Sequence, residues 1–177
     1  IVTNGTYYEN VVIDKEGLTL QGLYSDRVNH EVIIDAQNSG CAVIIQRDYV
    51  TLRGFNITNS FEDDDPLYSS GIKIKTDFNI VENNLITDSY VGILLDKAEY
   101  NTIQNNSIDA VDIGIMLARS NLNTIQYNVI HSADEHDIEI GKFGYSDTGS
   151  QSNNIIDNKE IEKIYFEDSS TNLLLDQ

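Results

Sequence analysis

Asn79-Ile80-Val81-Glu82-Asn83-Asn84-Leu85-Ile86 returns 22 residues later as Asn101-Thr102-Ile103-Gln104-Asn105-Asn106-Ser107-Ile108. After another 22 it returns as Asn123-Thr124-Ile125-Gln126-Tyr127-Asn128-Val129-Ile130, and Asn153-Asn154-Ile155-Ile156-Asp157-Asn158 follows 30 residues on. Between the copies a second motif recurs: Gly71-Ile72-Lys73-Ile74, Gly92-Ile93-Leu94-Leu95, Gly114-Ile115-Met116-Leu117 and Asp137-Ile138-Glu139-Ile140. Both motifs alternate apolar and variable residues, which is strand periodicity. No stretch carries capped helical periodicity. Short strands at a fixed period near 22 residues, without helices, read as the coils of a parallel β-helix. An antiparallel sandwich would leave that echo without a cause.

Upstream, Val50-Thr51-Leu52-Arg53-Gly54-Phe55-Asn56-Ile57 aligns with Asn79 to Ile86, and Leu18-Thr19-Leu20-Gln21-Gly22-Leu23 with its first six positions. The column Gly22, Gly54, Asn83, Asn105, Tyr127, Asp157 consists mostly of residues that tolerate left-handed backbone. It reads as a tight bend, with Tyr127 as the odd member. The next column passes from Leu23 and Phe55 to Asn84, Asn106, Asn128 and Asn158. The column Leu18, Val50, Asn79, Asn101, Asn123, Asn153 makes the same change. Stacked amides can hydrogen-bond from coil to coil, so the two columns read as inward amide ladders. Asn acting only as a turn former is the alternative, but it gives no reason for two columns to switch together.

The composition agrees. The 177 residues hold 24 Ile and 19 Asn but one Pro, so strands and turns are favoured over helices. With 11 Lys and Arg against 29 Asp and Glu, the net charge is -18. Such a chain lacks the basic clusters that neutralise phosphates, which argues against nucleic acid as a partner. No apolar run approaches the roughly 20 residues of a membrane span. A chain of this size can bury a core without disulfides or a structural metal.

The coils are expected to begin near Glu9 (with Val11-Val12-Ile13, ending at Asp35), then at Cys41, Gly71, Gly92, Gly114 and Asp137. A partial seventh would use Ile164-Tyr165-Phe166 and Asn172-Leu173-Leu174. Two insertions leave the coils, at Phe61 to Ser70 and at Gly141 to Ser152.

The run Asn-x-Ile-x-x-Asn-x-(Ser/Val)-Ile followed by Gly-Ile-x-Leu resembles the repeats of the pectin-lyase-like superfamily. In style it is nearest to NosD-like proteins and to archaeal and bacterial cell-surface proteins. The opening Asn4-Gly5-Thr6-Tyr7-Tyr8-Glu9-Asn10-Val11 through Gly22 resembles the first coil of many such chains. The resemblance implies an all-β, right-handed, single-stranded parallel β-helix of about seven coils. It would form one domain over 1–177, a segment of a longer protein with neighbouring domains, since the family's usual N-terminal capping helix has no counterpart here. Function follows less directly, because the superfamily includes polysaccharide lyases, glycoside hydrolases, epimerases, adhesins and copper-site maturation proteins.

In that superfamily the substrate commonly lies along an outer sheet face. The outward line of the Gly-Ile-x-Ile strands is Val12, Ile44, Lys73, Leu94, Met116 and Glu139. It is mostly apolar and suits cover by a loop, a domain or a partner. Lys73 and Glu139 are its ionisable members, three coils apart, and are candidate substrate contacts. A glycosidase would place two carboxylates about 5 to 9 Å apart. Thr87, Asp109 and His131 share a column beside Asp88, so an Asp109–His131 stack is a candidate for proton transfer. A solvated ladder of turn residues is its alternative. The run His131-Ser132-Ala133-Asp134-Glu135-His136-Asp137 offers Asp134, Glu135 and Asp137 as oxygen ligands for calcium. Copper, which the NosD style would suggest, meets too few soft ligands in Met116, Cys41, His30, His131 and His136.

In the insertion Phe61-Glu62-Asp63-Asp64-Asp65-Pro66-Leu67-Tyr68 three consecutive Asp could bind calcium or contact a polymer, but adjacent carboxylates repel without an ion and the stretch reads as a solvated loop. In the bulge Gly141 to Asp147, Phe143 and Tyr145 can either stack on sugars or fold back over the apolar line. Sequons stand at Asn4, Asn56 and Asn105, and Cys41 reads as core. Two functions stay open. One is an extracellular or cell-surface domain that contacts polysaccharide, or serves a structural or adhesive role, in a surface matrix. The other is a polysaccharide-degrading lyase or hydrolase acting on an acidic polymer.

Overall fold

Twenty strands wind through the described residues of a computed structural model of the chain: 1–23, 32–61, 69–109, 112–131, 133–141, 149–166 and 171–175. β1 (Gly5–Tyr7) precedes a first coil of β2 (Val11–Ile13), β3 (Thr19–Gln21) and β4 (Val32–Asp35). The second holds β5 (Val43–Ile45), β6 (Thr51–Arg53) and β7 (Asn56–Thr58), and the third β8 (Ser70–Ile74), β9 (Ile80–Glu82) and β10 (Leu85–Thr87). Next come β11 (Val91–Asp96), β12 (Thr102–Gln104) and β13 (Ser107–Asp109), then β14 (Ile113–Ala118), β15 (Thr124–Gln126) and β16 (Val129–Ile130). The last two coils comprise β17 (His136–Gly141) with β18 (Asn154–Ile156), and β19 (Ile164–Phe166) with β20 (Leu173–Leu175).

Every coil sends a strand to each of up to three parallel sheets, in the order β1-β4-β7-β10-β13-β16, β2-β5-β8-β11-β14-β17-β19 and β3-β6-β9-β12-β15-β18-β20. We call these the first, second and third sheets. This is the expected right-handed parallel β-helix, and the coil starts fall where the repeats put them.

In-register pairing stacks like residues. Ile13, Ile45, Ile74, Leu95, Leu117 and Ile140 form one inward column. Leu52, Val81, Ile103, Ile125 and Ile155 form another. All of these are buried, and each full burial is worth roughly 1.5–3 kcal/mol. Such columns explain the Ile excess, because a branched side chain fits the pleat and meets its own kind above and below.

The Asn columns are amide ladders. Asn106 Oδ1 accepts from the backbone N–H of Asn84 at 3.0 Å and from Asn84 Nδ2 at 3.1 Å. Its own Nδ2 donates to Val81 O and to Asn128 Oδ1, both at 3.0 Å. The other ladder runs from Asn79 to Asn172, one coil beyond the expected column. Buried amides are affordable here because each oxygen and nitrogen meets a partner. A third ladder, Ser120 to Ser150, bonds Ser120 N to Ser150 Oγ at 2.9 Å.

The bend column is left-handed at Gly54, Asn83, Asn105, Tyr127 and Asp157, with φ of 79°, 54°, 54°, 56° and 46°. Tyr127 is therefore odd in residue type and regular in conformation. Gly22 departs from the column: it bridges to Val2 without a positive φ, and a side chain there would collide with the Gly54 carbonyl.

Candidate functional site

Two outer faces hold the candidate chemistry. On the second sheet, Val12 is exposed and Ile44 half-buried, whereas Lys73, Leu94 and Met116 are buried. Leu94 and Met116 join Val91, Ile113, Ala118 and Tyr90 in an apolar cluster outside the main core. The ring of Phe61 meets Tyr90 edge-on, 6.1 Å between centroids. The apolar line is thus real, and its middle is covered. Phe143 and Tyr145, and most of the 61–70 insertion, lie outside the described residues, as does the expectation that the second bulge folds over this line.

Charges flank that cluster at opposite ends. Asp96 sits between two cations, with Arg119 Nη2 at 2.8 Å and Lys73 Nζ at 3.9 Å. Glu139 Oε2 lies 3.1 Å from His136 Nδ1, and the His136 ring stacks on Tyr165 with centroids 4.7 Å apart. Lys73 and Glu139 therefore do not meet; each is taken by a different partner. Asp96, Arg119 and Tyr165 are members that the sequence reading did not select.

Asp109 and His131 do occupy one column, Ile108 pairing with Ile130 just before them. The imidazole nevertheless turns elsewhere: His131 Nδ1 lies 2.6 Å from Glu160 Oε2, on the following coil. Thr87 bonds to Thr58 at 3.0 Å. In the acidic run, Asp134 and Glu135 are exposed while Asp137 is buried. Asp137 Oδ2 accepts the N–H groups of Glu162 and Lys163 at 2.7 and 2.8 Å, and Lys163 Nζ donates to the carbonyls of Ala133 and Asp134. These groups line a cleft of about 360 Å³ with Glu160. Among the described residues no three His, Cys, Asp or Glu side chains converge as metal ligands. Of the sequons, Asn4 and Asn105 are exposed, while Asn56 is half-buried within β7. Cys41 is buried, as a core residue should be.

The outer face of the third sheet is different in kind. Gln21, Arg53, Glu82, Gln104 and Gln126 form one continuous polar row: Arg53 reaches Gln21 at 3.0 Å and Glu82 at 3.3 Å, Gln104 reaches Glu82, and Gln126 reaches Gln104, both at 2.8 Å. Thr51, Thr102 and Thr124 stand in the column beside it, with exposed Ile80 between Thr51 and Thr102. Along the edge stands a column of rings. Tyr49 and Phe78 stack at 5.1 Å and 9°, and Phe78 and Tyr100 at 5.0 Å and 5°. They are 55%, 43% and 48% exposed.

The corner itself produces the stack. Gly17, Tyr49, Phe78, Tyr100 and Leu122 all have φ between 56° and 67°. Each N–H bonds to the carbonyl just before the same corner in the next coil, as Phe78 does to Glu99 at 3.2 Å. Identical backbone at each corner aims successive side chains alike, one coil apart. A shallow cleft of about 330 Å³ continues the edge past Tyr100, lined by Glu99, Asn121, Leu122, Gly149, Gln151 and Ser152. The signal was available one residue upstream of the Asn column, where Phe78, Tyr100 and Leu122 recur every 22 residues and Tyr49 stands 29 before Phe78.

Comparison with known proteins agrees with the architecture. A family model described as right handed beta helix region matches residues 21–177, so the chain belongs to that family. No curated protein matches the sequence. An alginate lyase from Paenibacillus sp. strain FPU-7 is similar in structure, with a TM-score of 0.60 and 10% identity over 99% of this chain and 89% of that one. A pectin methylesterase from Yersinia enterocolitica reaches a TM-score of 0.38 with 12% identity, over 97% and 84% of the two chains. For the alginate lyase, at 10% identity, the likeness is one of fold.

Proposed function

We propose that this member of the right-handed β-helix family is a polysaccharide-contacting domain working outside the cell, in a surface or matrix setting. The observation that carries the reading is the exposed ring column Tyr49, Phe78, Tyr100 beside a polar row of amides and hydroxyls. Glycans offer apolar C–H surface and hydroxyl groups together, and an aromatic strip bordered by amides meets both. A straight, regularly spaced face also suits a polymer better than a small molecule. The structurally similar alginate lyase acts on a polysaccharide, which is consistent with this use of the fold. Among the described residues no helix is long and apolar enough to cross a membrane.

Affinity electrophoresis through gels containing neutral, acidic and amine-bearing polysaccharides tests this. Retardation by at least one polymer, lost in the combined Tyr49→Ala, Phe78→Ala, Tyr100→Ala variant with its fold intact by circular dichroism, is expected. Unretarded migration in every gel would sink the proposal.

A second reading, a degrading enzyme, is favoured by one observation: the His136 imidazole held by Glu139 and stacked on Tyr165 on the sheet face where this superfamily is expected to work. A carboxylate on one ring nitrogen fixes the tautomer and leaves the other nitrogen for proton transfer. Release of reducing ends or unsaturated uronyl products, abolished by His136→Ala, would establish it.

A further inference from the structure

The ring column stops at Tyr49, but the corner that builds it does not. Gly17 occupies the same corner one coil below, with φ of 67° and its N–H bonded to Asp48 O at 3.0 Å. It has no side chain, and among the described residues no atom beyond its two chain neighbours comes within 4 Å of the place a Cβ would take. Phe78 covers one face of the Tyr49 ring at 5.1 Å. Among the described residues no ring stacks on the face toward Gly17, and Tyr49 is the most exposed member of the stack at 55%. A flat ring of another molecule can take the missing position.

The residue before each corner decides what that ring should carry. In the first four coils these residues are Glu16, Asp48, Asp77 and Glu99, an unbroken line of carboxylates beside Gly17, Tyr49, Phe78 and Tyr100. Asp77 N–H bonds to Asp48 Oδ1 at 3.0 Å and Glu99 N–H to Asp77 Oδ1 at 2.7 Å, so the middle of the line is held in place. Glu16 is exposed at the open end. An acidic polymer would meet this line, and a chain of net charge -18, with repulsion. A protonated amine would meet attraction, from the carboxylates and from the face of the Tyr49 ring. We propose that the open face of Tyr49 above Gly17 is the stacking platform for a sugar ring of an amine-bearing glycan, a polymer or oligomer of free hexosamine. This deepens the polysaccharide-contacting reading and rests on it.

The test measures binding of the full chain by titration calorimetry to a glucosamine oligomer, its fully N-acetylated counterpart and a uronic acid oligomer. The amine oligomer should bind at least tenfold more tightly than either, and more weakly as salt is raised. Gly17→Tyr adds a ring at a corner that already accepts Tyr49 in the next coil, so it should fill the platform and weaken amine binding at least tenfold. Tyr127→Asn, at a left-handed corner outside the ring column, should bind as the unaltered chain does. Undiminished binding by a folded Gly17→Tyr variant would overturn the inference. Equal or tighter binding of the N-acetylated or uronic acid oligomer would also overturn it, while leaving polysaccharide contact standing. Failure of all three, together with unretarded migration in every gel, removes both.

Discussion

Asn123 Oδ1 accepts two hydrogen bonds from Asn101, one from its backbone N–H at 2.8 Å and one from its Nδ2 at 3.1 Å. Asn123 Nδ2 in turn donates to Ala98 O at 2.9 Å and to Asn153 Oδ1 at 3.1 Å. One side chain thus joins three coils, so its removal orphans buried groups on both sides. Each such group costs about 1–3 kcal/mol. Asn123→Ala should therefore lower stability by about 3 kcal/mol or more in urea unfolding. Asn172→Ala, at the half-buried end of the same ladder, should cost less.

Asp96 offers a second test. It lies 2.8 Å from Arg119 and 3.9 Å from Lys73, and all three side chains are mostly buried. Removing the acid leaves two cations facing each other, whereas replacing the whole group by apolar residues leaves none. Asp96→Ala is expected to cost about 3 kcal/mol. The triple variant Lys73→Met, Asp96→Leu, Arg119→Met should recover most of that loss in thermal melts.

Glycine at the start of the second-sheet strands is set by space. A methyl group at Gly71 would sit 2.6 Å from Ile86 Cγ2 and 2.8 Å from Gly92 O; at Gly114 it would sit 2.5 Å from Ile130 Cγ2 and from Asp137 O. Gly71→Ala and Gly114→Ala should each lose at least 1–3 kcal/mol, about the usual effect of overpacking. Gly17→Ala, with open space around it, should lose only the backbone cost of a positive φ, about 1 kcal/mol.

Tyr127 pays for its corner in the opposite sense. It holds φ at 56° with its side chain about half exposed. Asn fits that conformation at less cost, as Asn83 and Asn105 already do. Tyr127→Asn should stabilise the protein by up to about 1 kcal/mol in urea unfolding.

Asp137 ties the last coil to the one before it through two N–H groups. Asp137→Ala should loosen that end, lowering protection of the Glu162 and Lys163 amides in hydrogen exchange. Because the acceptor serves backbone donors, the loss should be the same in calcium and in chelator.

The coil boundaries, the two amide ladders and the inward Ile columns were legible in the sequence, because stacking forces one residue type to recur at one period. The ring column is harder to read, because its corner is held by one backbone conformation and not by one residue type: Gly17, Tyr49, Phe78, Tyr100 and Leu122 share only a positive φ. Asp96 with Arg119 was missed for another reason. Asp96 ends β11 whereas Arg119 lies one residue past the end of β14, 23 positions on, so the pairing emerges only when side chains are followed across the corner. His131 shows the converse: its column was right, yet Glu160, in an adjoining coil and carrying no repeat signal, took the imidazole.

By itself the sequence determined the class of fold, its coil count and most of the residues that point inward, because a solenoid repeats one local solution and prints it in the chain; Leu23, expected inward with Phe55, is instead 50% exposed where its N–H bonds to Val2 O. It also determined the charge. Tertiary structure alone decided which outward groups are free to act. It buried Leu94 and Met116 at the middle of the expected working face, engaged Lys73 and Glu139 with separate partners, and aligned Tyr49, Phe78 and Tyr100 over an empty Gly17 corner. Outward side chains are chosen by neighbours from other coils, and no single period in the chain records those meetings.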